Sequence, residues 1–429
     1  MLCEETGENA GDGRMSVAFK TLGCRMNRAE AAVFAAQFAA AGFRLADDGE
    51  PADVVVLHSC AVTRAAERET FRLLRAWRRD PATAKALVVA TGCAVACNRP
   101  ELLLEAGADM VVPKAGQGTL AEAVAARLNR RVEAPSPRPP LFTTKRALLK
   151  VQDGCAFDCA YCIVPKTRGA PVSRPWREAL GEAEALLDAG FKEIVLTGCN
   201  LACYGDGGRG LPELADAVCA LAGERGARVR LGSVEPGLRD DEIVDVMRAR
   251  RNLCRFLHLP IQCGDTPVLR AMGRRYTAES VAGFLARATA ALPLLGLGAD
   301  FITGLPGEDD AAFERSCDLV RRFPFVHIHV FPFSPRPGTR AAGMAGCPPR
   351  AVAKARAARL RRAGEESAEA YLRGLVGHEV QVLVEGRSRD GLAHGWSEGH
   401  APCVFPSDAP VASLTSFTPG RVAGGALRA

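Results

Sequence analysis

The sequence predicts an α/β protein of three parts: an amino-terminal doubly wound parallel-sheet domain, a central open barrel of six β/α units, and a small carboxyl-terminal β-barrel. Three observations predict this fold class. Strand-like and helix-like stretches alternate along most of the 429 residues, a proline-rich stretch interrupts them, and the final part changes to period-two alternation. Alternating strands and helices favour parallel sheets, whereas period-two patterning with glycines is typical of small antiparallel barrels.

The amino-terminal domain is expected over residues 15–134. Helices are predicted at about 28–41 and 65–79, each after a short apolar run. The strand-like runs cover residues 17–21, 53–57, 86–90 and 110–112. Residues 135–145 are then predicted to be a linker, because the prolines from Pro135 to Pro140 cannot continue a helix or a central strand.

The central domain is expected over residues 146–373 and the carboxyl-terminal module over residues 374–429. Six strand units fit an open α/β barrel better than a closed eight-stranded one. A basic helix predicted at 350–375 fits either a solvated connector or a phosphate-binding surface. The six central strand candidates begin near Ala147, Glu193, Arg228, Phe256, Ala299 and His327.

Composition narrows the class of protein. No apolar run reaches the roughly 18 residues that span a membrane, and the first residues lack the features of a signal peptide, so a cytoplasmic protein without a membrane partner is expected. The net charge of +6 fits codon bias as well as an arginine-rich, phosphate-binding surface. The 16 cysteines do not suit disulfides in that compartment and indicate metal or thiol chemistry.

The strongest motif is a cysteine cluster directly after a predicted strand. Cys155, Cys159 and Cys162 follow C-x3-C-x2-C spacing, which can wrap one corner of a cubane iron–sulfur cluster. Ferredoxin and zinc sites usually supply four ligands, and no fourth local cysteine is available here. One iron would therefore stay open to an exogenous ligand. A zinc site with a distant fourth ligand is the alternative.

A second set of cysteines is dispersed in the sequence. Cys24, Cys60 and Cys93 each come shortly after a predicted strand. The carboxyl ends of neighbouring parallel strands share one edge of a sheet, so the three thiols could converge on a second cluster. The residues alone leave a chance coincidence equally open. Cys97 is either a bystander or a substitute ligand on the helix after Cys93.

Short stretches along nearly the whole chain carry a family resemblance. They are Thr21-Leu-Gly-Cys24-Arg-Met-Asn27, Ser59-Cys60-Ala-Val-Thr63, Thr91-Gly-Cys93, the Cys155 motif, Glu193-Ile-Val-Leu-Thr-Gly198, Leu259-Pro-Ile-Gln-Cys-Gly264, Asp300-Phe-Ile-Thr-Gly-Leu-Pro-Gly-Glu308 and Phe333-Ser-Pro-Arg-Pro-Gly-Thr339. With these flanks, the chain resembles the radical S-adenosylmethionine methylthiotransferases, and its carboxyl-terminal module resembles the RNA-binding TRAM module of that family.

The resemblance implies two 4Fe–4S clusters and S-adenosylmethionine as cofactors. Cys155, Cys159 and Cys162 would hold the cluster that generates a 5′-deoxyadenosyl radical, and Cys24, Cys60 and Cys93 would hold the cluster that takes part in sulfur insertion. Cys199 and Cys203 are outside the ligand set and are interpreted as structural. The expected S-adenosylmethionine contacts lie at the carboxyl rim of the barrel and are Gly198, Asn200, Ser233, Glu235 and Gln262.

The resemblance also implies partners and three possible substrates. A tRNA substrate, a low-potential electron donor of the ferredoxin or flavodoxin type, and a sulfur donor are expected. Gln152-Asp-Gly-Cys155 and the segment 329–338 look most like the threonylcarbamoyladenosine branch of the family. Isopentenyladenosine in tRNA and an aspartate of a ribosomal protein are the alternative substrates. A metal-stabilised RNA-binding protein without catalysis is the alternative from a different functional class.

Overall fold

The computed structural model describes residues 14–47, 49–130 and 139–429. The chain divides into two compact units between Leu141 and Phe142. Residues 131–138, which include the first part of the predicted linker, lie outside the described residues. Within the described ranges, no helix combines the length and the apolar character that crossing a lipid bilayer requires.

The first unit is built on a five-stranded parallel sheet. Its strands are β1 (Ser16–Thr21), β2 (Arg44–Leu45), β3 (Val54–Ser59), β4 (Leu87–Gly92) and β5 (Met110–Val112). Its helices are α1 (Arg25–Ala40), α2 (Arg64–Arg79), α3 (Cys93–Cys97), α4 (Pro100–Glu105) and α5 (Leu120–Arg127). The strand order is β2-β1-β3-β4-β5, and all pairs are parallel. The predicted parallel α/β architecture is confirmed.

Helices α1 and α2 follow the loops that contain Cys24 and Cys60, after β1 and β3. Helix α2 begins where the Thr63 side chain accepts a hydrogen bond from the amide of Ala66 at 3.1 Å, which satisfies one of the free amides of its first turn. Its buried face includes Leu73 and Leu74. This face packs with Leu57 of β3, so the cysteine that follows β3 is held by a core on one side of the sheet.

The second unit contains ten short strands and eight helices before its carboxyl-terminal sheet. The strands are β6 (Ala147–Lys150), β7 (Gln152–Asp153), β8 (Val172–Ser173), β9 (Glu193–Thr197), β10 (Gly205–Asp206), β11 (Arg209–Gly210), β12 (Arg228–Leu231), β13 (Phe256–Gln262), β14 (Gly296–Thr303) and β15 (Phe325–Pro332). The helices are α6 (Val164–Arg168), α7 (Trp176–Asp188), α8 (Leu211–Glu224), α9 (Asp240–Ala249), α10 (Thr266–Ala271), α11 (Ala278–Ala291), α12 (Asp310–Arg322) and α13 (Arg350–Gly374).

The six central strands form two three-stranded parallel sheets. Their orders are β12-β9-β6 and β13-β14-β15. Isolated parallel bridges connect Val229 with Leu253 and Ser233 with His258, next to the facing edges β12 and β13. The strands therefore succeed one another in chain order, and one continuous apolar core lies between them and their helices. Closure of these strands into a partial barrel stays a prediction.

The chain ends in a six-stranded sheet. Its strands are β16 (Val380–Arg387), β17 (Ala393–Ser397), β18 (Pro402–Phe405), β19 (Leu414–Phe417), β20 (Arg421–Ala423) and β21 (Ala426–Arg428). The order is β19-β16-β17-β18-β21-β20, and all pairs except the parallel β18–β21 pair are antiparallel. The predicted carboxyl-terminal sheet is present, whereas its closure into a barrel stays a prediction.

A buried ion cluster attaches this sheet to the starts of the central strands. Arg228 and Arg230 pair with Glu193 at 2.6 and 2.8 Å. Burial opposes the charge on Glu193, but the two guanidinium groups outweigh it and hold the pKa of this carboxyl well below its usual range. Arg228 also donates to the carbonyls of Gln381 and Trp396 at 2.7 and 2.9 Å. Carbonyl groups of the terminal sheet thus accept hydrogen bonds from the Arg228 guanidinium, in addition to its ion pair with Glu193.

Candidate functional site

The Cys155 motif lies in a loop that follows β7. The amide of Cys155 donates to the carbonyl of Gly169 at 3.1 Å, and the amide of Ala160 donates to the carbonyl of Met272 at 2.9 Å. The backbone of the loop is therefore held at two positions, Cys155 and Ala160, by main-chain hydrogen bonds to other segments. Cys159 is buried, whereas Cys155 and Cys162 are half-buried.

Each of the three sulfur atoms accepts one N–H hydrogen bond. The amide of Phe157 donates to Cys155 Sγ at 3.4 Å, and the amide of Val164 donates to Cys162 Sγ at 3.4 Å. Arg274 Nη1 donates to Cys159 Sγ at 3.2 Å. Hydrogen bonds to sulfur ligands and local charge are levers that tune iron–sulfur clusters, so the loop offers thiols with tuning partners already in place.

Burial favours the protonated form of two thiols of this loop, Cys159 and Cys162. Burial raises the pKa of Cys162 to about 12, against a lowering by the amide of Val164. Burial also raises the pKa of Cys159, and the guanidinium of Arg274 opposes that rise. A metal ion that binds here must displace protons from these thiols, because the thiolate is the ligand.

Arg274 connects the cysteine loop with two strand ends, and the sequence analysis did not identify it. Its guanidinium pairs with Glu235 at 2.6 Å and donates to the carbonyl of Pro260 at 3.1 Å. The same group donates to the hydroxyl of Tyr161 at 3.1 Å. Burial raises the pKa of Glu235, although Arg274 lowers it. Arg274 therefore brings Cys159 and Glu235 to one place after β12 and β13.

The loop after β9 packs against the residues that precede Cys155. Gln152 donates to the carbonyl of Gly154 at 2.8 Å and accepts a hydrogen bond from the amide of Asn200 at 2.8 Å. A Cβ on Gly198 would lie 3.0 Å from the Cβ of Gln152, so close approach favours glycine there. The structure thus brings Gly198 and Asn200, two of the predicted cofactor contacts, next to the start of the cysteine loop.

Ser233 and Gln262 occupy the positions expected from the sequence along the chain. Ser233 follows β12 and forms the isolated bridge to His258. Gln262 ends β13, is nearly buried at 8% exposure, and has a left-handed backbone with φ of 69°. That conformation is uncommon for a residue other than glycine, and it turns the chain sharply at the end of the strand. Neither side chain is tied to the cysteine loop by a hydrogen bond among the described residues.

Two buried oxygen atoms near the cysteine loop are free to accept hydrogen bonds from a polar ligand. Among the residues that the structure describes, Asn200 Oδ1 and Glu235 Oε1 are buried without a hydrogen-bond partner. Such atoms cost free energy unless a ligand or water satisfies them. The amino and hydroxyl groups of S-adenosylmethionine are donors of the required kind. The residues present therefore fit this cofactor, and three thiols with N–H partners fit an iron–sulfur cluster.

Cys199 and Cys203 lie close to the same loop. Cys199 Sγ is 3.4 Å from Asp153 Oδ1, and burial raises the pKa of its thiol. Burial raises the pKa of Cys203 to about 11, and the electrostatic influence of Cys155 adds to this rise. Burial acts in the same direction on the pKa of Cys159 and Cys162, so the interpretation of Cys199 and Cys203 as structural residues stays a prediction.

The dispersed cysteines follow three adjacent strands of the first unit. Cys60 follows Ser59 at the end of β3, Cys93 follows Gly92 at the end of β4, and Ser59 pairs with Gly92. Cys24 precedes α1, after β1, the other neighbour of β3. Cys60 and Cys93 are buried, and Cys24 is exposed. The topology therefore places all three at one edge of the sheet.

Close backbone contacts bring the three loops together. A Cβ on Gly23, whose φ is 94°, would lie 2.7 Å from Cys60 Sγ, and a Cβ on Gly92 would lie 2.5 Å from the carbonyl of Ser59. The side-chain amide of Asn27 donates to the carbonyls of Leu22 and Ser59 at 2.8 and 2.9 Å. The loops before Cys24 and Cys60 are thus fixed to each other, and three thiols in such a crevice suit a metal cluster.

Cys97 is one helical turn beyond Cys93. It ends α3 and packs, half-buried, against a small cluster of Ala61, Cys93 and Ala94. Cys93 opens that helix directly after the strand, whereas Cys97 is carried away from the strand end along the helix axis. This placement favours Cys93 as the ligand.

Replacement of Arg274 by methionine is expected to destabilise the second unit. It leaves Glu235 as a buried carboxyl without its cation, and the loss of one partner from a buried pair costs about 3–5 kcal/mol. Chemical denaturation measures the free energy of unfolding.

A smaller loss is expected for the double variant Arg274→Met/Glu235→Gln, because no charge is then left unpaired. Arg270→Met, at an exposed position, is the matched control, and a loss equal to that of the control would contradict the role of Arg274.

Two family matches cover most of both units. Residues 149–320 match the Radical SAM superfamily. Residues 16–113 match the group described as "Uncharacterized protein family UPF0004". The first match includes the Cys155 loop and β13 and β14, and the second includes Cys24, Cys60 and Cys93.

Curated relatives match over nearly the full chain. The tRNA-2-methylthio-N(6)-dimethylallyladenosine synthase of Erythrobacter litoralis is 34% identical over 92% of each chain. The enzyme of the same name from Novosphingobium aromaticivorans is 36% identical over 86% of each chain. The threonylcarbamoyladenosine tRNA methylthiotransferase MtaB of Thermotoga maritima is 32% identical over 91% of each chain.

Solved structures agree with the fold. The radical S-adenosylmethionine methyltransferase TsrM of Kitasatospora setae, with cobalamin and an iron–sulfur cluster bound, superposes with a TM-score of 0.56 at 15% identity over 77% of each chain. The cobalamin-dependent S-adenosylmethionine radical enzyme OxsB gives a TM-score of 0.51 at 12% identity, covering 77% of this chain and 54% of the other. At these identities the likeness concerns the fold alone.

Proposed function

The chain belongs to the radical S-adenosylmethionine methylthiotransferases, and from that premise we propose that it inserts a methylthio group at C2 of an N6-threonylcarbamoyl adenosine next to the anticodon of a tRNA. Membership makes the protein an enzyme that uses S-adenosylmethionine and an iron–sulfur cluster. The interpretation as a non-catalytic RNA-binding protein is therefore set aside. The tRNA substrate is inferred from the names of the relatives, and the modified side group from the argument that follows.

The observation that carries the choice of branch is the position of residues 329–341, which span the end of β15 and the turn beyond it and are called the segment after β15. Residues 329–338 resemble the threonylcarbamoyladenosine branch, and the chain continues from them onto the cysteine loop. The amide of Ala341 donates to the carbonyl of Ala160 at 2.8 Å. Arg340 donates to the carbonyl of Asp158 at 3.1 Å, and Lys166 Nζ donates to the carbonyl of Gly338. A segment in this position is well placed to contact the substrate near the cysteine loop.

The charge of this segment favours an anionic side group. It carries Arg336, which is buried, and Arg340, which is exposed. Arginine pairs with carboxylates through charge-assisted hydrogen bonds that are roughly twice as strong as neutral ones. The threonylcarbamoyl group ends in a carboxylate, whereas the isopentenyl group is apolar and uncharged. Arg340, the exposed one of the two, therefore supports a threonylcarbamoyl substrate.

Isopentenyladenosine in tRNA is the second candidate substrate. The relatives at 34% and 36% identity carry names that contain dimethylallyladenosine, which is the same modification, whereas the MtaB relative is 32% identical. These identities are too similar to separate the two branches, so the choice depends on the segment after β15.

The residues of the second unit would bind and orient the cofactors. Cys155, Cys159 and Cys162 would hold the cluster, and the buried oxygens of Asn200 and Glu235 would accept hydrogen bonds from S-adenosylmethionine. When bound, the pair supplies radical chemistry able to remove hydrogen from an unactivated aromatic carbon, which no side-chain base could deprotonate at neutral pH. The backbone at Gly198 would contact the cofactor, and Ser233 and Gln262 would contact it from the neighbouring strand ends.

Cys24, Cys60 and Cys93 would hold a second 4Fe–4S cluster, which takes part in sulfur insertion. Their convergence at one sheet edge and the close packing of Gly23 against Cys60 Sγ support this proposal. A low-potential electron donor and a sulfur donor complete the expected set of partners in the cytoplasm.

Only part of the basic helix α13 is available for tRNA. Arg356 is buried and pairs with Glu308 at 2.9 Å, so it fixes the helix to the loop after β14. Exposed cations of the same helix, Arg350, Lys354 and Arg362, would contact phosphates. The helix would therefore combine the connector and the phosphate-binding interpretations, which the sequence had left as alternatives.

Mass spectrometry of tRNA nucleosides tests the proposed substrate. A strain that lacks this protein is expected to lose methylthio-threonylcarbamoyladenosine and to accumulate its unthiolated parent. Expression of the wild-type chain should restore the modified nucleoside, and a Cys155→Ala chain should not. Loss of the methylthio-isopentenyl nucleoside instead would show that the second candidate is right. No change in either nucleoside would exclude both tRNA substrates.

A further inference from the structure

Four of the seven histidines of the chain gather on one side of the sheet β13-β14-β15. The rings of His258 and His329 lie 5.5 Å apart between centroids, and His327 lies 5.3 Å from His258 and 5.0 Å from His329. The ring of His400, from the carboxyl-terminal sheet, lies 5.0 Å from that of His327. This group contains none of the predicted cluster or cofactor residues, and the proposed function gives its side chains no role, although His329 begins the segment 329–338.

An acidic residue lies between two of these rings. Asp300 Oδ1 is 3.2 Å from His258 Nε2 and 3.1 Å from His329 Nδ1. One nitrogen from each ring and one oxygen of Asp300 all lie within 4.8 Å of one another. The site therefore presents a carboxylate and two imidazoles.

The sheet register creates this arrangement. Leu297 pairs with Phe325, but the next residue, Gly298, pairs with His327, so one residue of β15 is skipped. Without that irregularity, Asp300 would face Ile328 instead of His329. A one-residue shift moves side chains to the other face of a sheet. The irregularity thus places His327 and His329 on the face that carries Asp300.

A glycine provides the space for the rings. Gly298 pairs with His258 on one side and with His327 on the other. A Cβ on Gly298 would lie 2.6 Å from His258 Nδ1 and 3.0 Å from His327 Cε1, so any larger residue would displace the imidazoles. His258 is 2% exposed. The ring of His258 is therefore held in place by the packing around it.

We propose that His258, Asp300 and His329 bind one divalent first-row transition-metal ion, with Zn²⁺ as the simplest example. Two imidazoles and one carboxylate are a donor set that zinc and iron sites use, with further positions left open to water or another ligand. Bonds of 2.0–2.1 Å in a tetrahedral site separate neighbouring donors by about 3.3 Å, close to the observed 3.1 and 3.2 Å. The side chain of His329 is 52% exposed, so an ion could enter from that side.

Zinc loading of the full-length protein tests this site. The protein, with its iron–sulfur clusters reconstituted, is incubated anaerobically with Zn²⁺, desalted, and analysed for zinc by mass spectrometry and for ligand type by X-ray absorption. About one zinc per chain is expected, with nitrogen and oxygen ligands near 2.0 Å and no sulfur shell near 2.3 Å. The absence of sulfur separates this site from the cysteines.

Two variants and one control complete the test. His329→Ala and Asp300→Asn are expected to weaken zinc binding at least tenfold, and His329 is exposed enough for the fold to tolerate the change. His378→Ala removes an exposed histidine of the carboxyl-terminal part and should leave binding unchanged. Failure of the wild type to retain zinc, a sulfur ligand shell, or equal binding by His329→Ala would each overturn the proposal, and Asp300 would then only link two imidazoles.

Discussion

Simultaneous replacement of Cys155, Cys159 and Cys162 by alanine is expected to reduce the formation of 5′-deoxyadenosine to the level measured without protein. The proposed cluster has no other thiol ligands in the loop, and each of the three sulfurs accepts an N–H hydrogen bond in the described structure. Without these ligands no redox-active iron would meet S-adenosylmethionine. The measurement is chromatography of the products formed by anaerobically reconstituted protein with dithionite.

The control for this result is Cys347→Ala. Cys347 is an exposed thiol outside both proposed ligand sets, so its removal should change neither iron content nor 5′-deoxyadenosine formation. The triple variant should keep about half of the iron, because the first unit has its own apolar cores and can fold independently. If the triple variant still produced 5′-deoxyadenosine, the assignment of this loop to S-adenosylmethionine cleavage would be wrong.

The parts of the fold that depend on local pattern could be predicted from the sequence. Strand β3 was predicted within two residues, because its apolar run is buried along its whole length. Helices α1 and α2 were predicted within three residues, because their starts follow strand ends and their faces pack on the sheet. The two-residue strand β2 was not predicted. Its residues pair with β1 at the edge of the sheet, and so short an element has no pattern of its own.

The parts that depend on tertiary register could not be predicted. Arg274 lies in a polar stretch after α10, and nothing local indicates that it reaches Cys159 and Glu235. The histidine group depends on the skipped residue between β14 and β15, which no sequence pattern reveals. The repeated histidines at 327 and 329 were visible within a predicted strand, but Asp300 becomes their neighbour only through the sheet.

The carboxyl ends of neighbouring parallel strands lie at one edge of a sheet, and this explains why the common location of the dispersed cysteines could be predicted. Cys60 and Cys93 follow paired strands β3 and β4, and β1 neighbours β3 on its other side. Three positions far apart in sequence therefore share one edge, as their strand context indicated. Their detailed approach depends on Gly23 and Asn27, whose contacts only the folded backbone defines.

Simultaneous replacement of Cys24, Cys60 and Cys93 by alanine is expected to preserve the formation of 5′-deoxyadenosine but to stop methylthiolation. The second unit keeps its own core and its cysteine loop, so 5′-deoxyadenosine should still form. The methylthiolated nucleoside should fall below detection, because the proposed second cluster would be lost. Liquid chromatography with mass spectrometry on the same reaction measures both products. Loss of both products together would contradict the separation of roles, provided that circular dichroism shows the variant to be folded.

Single changes at Cys93 and Cys97 then identify the third ligand of the proposed second cluster. Cys93→Ala should abolish the methylthiolated product, because Cys93 opens α3 directly at the strand end. Cys97→Ala should leave most of it, since a ligand one helical turn further along would pull the cluster away from the crevice that Gly23 and Cys60 define. Wild-type product from Cys93→Ala, with loss in Cys97→Ala, would reverse the assignment. That outcome would require the short helix α3 to unwind, because only then could Cys97 reach the strand edge in place of Cys93.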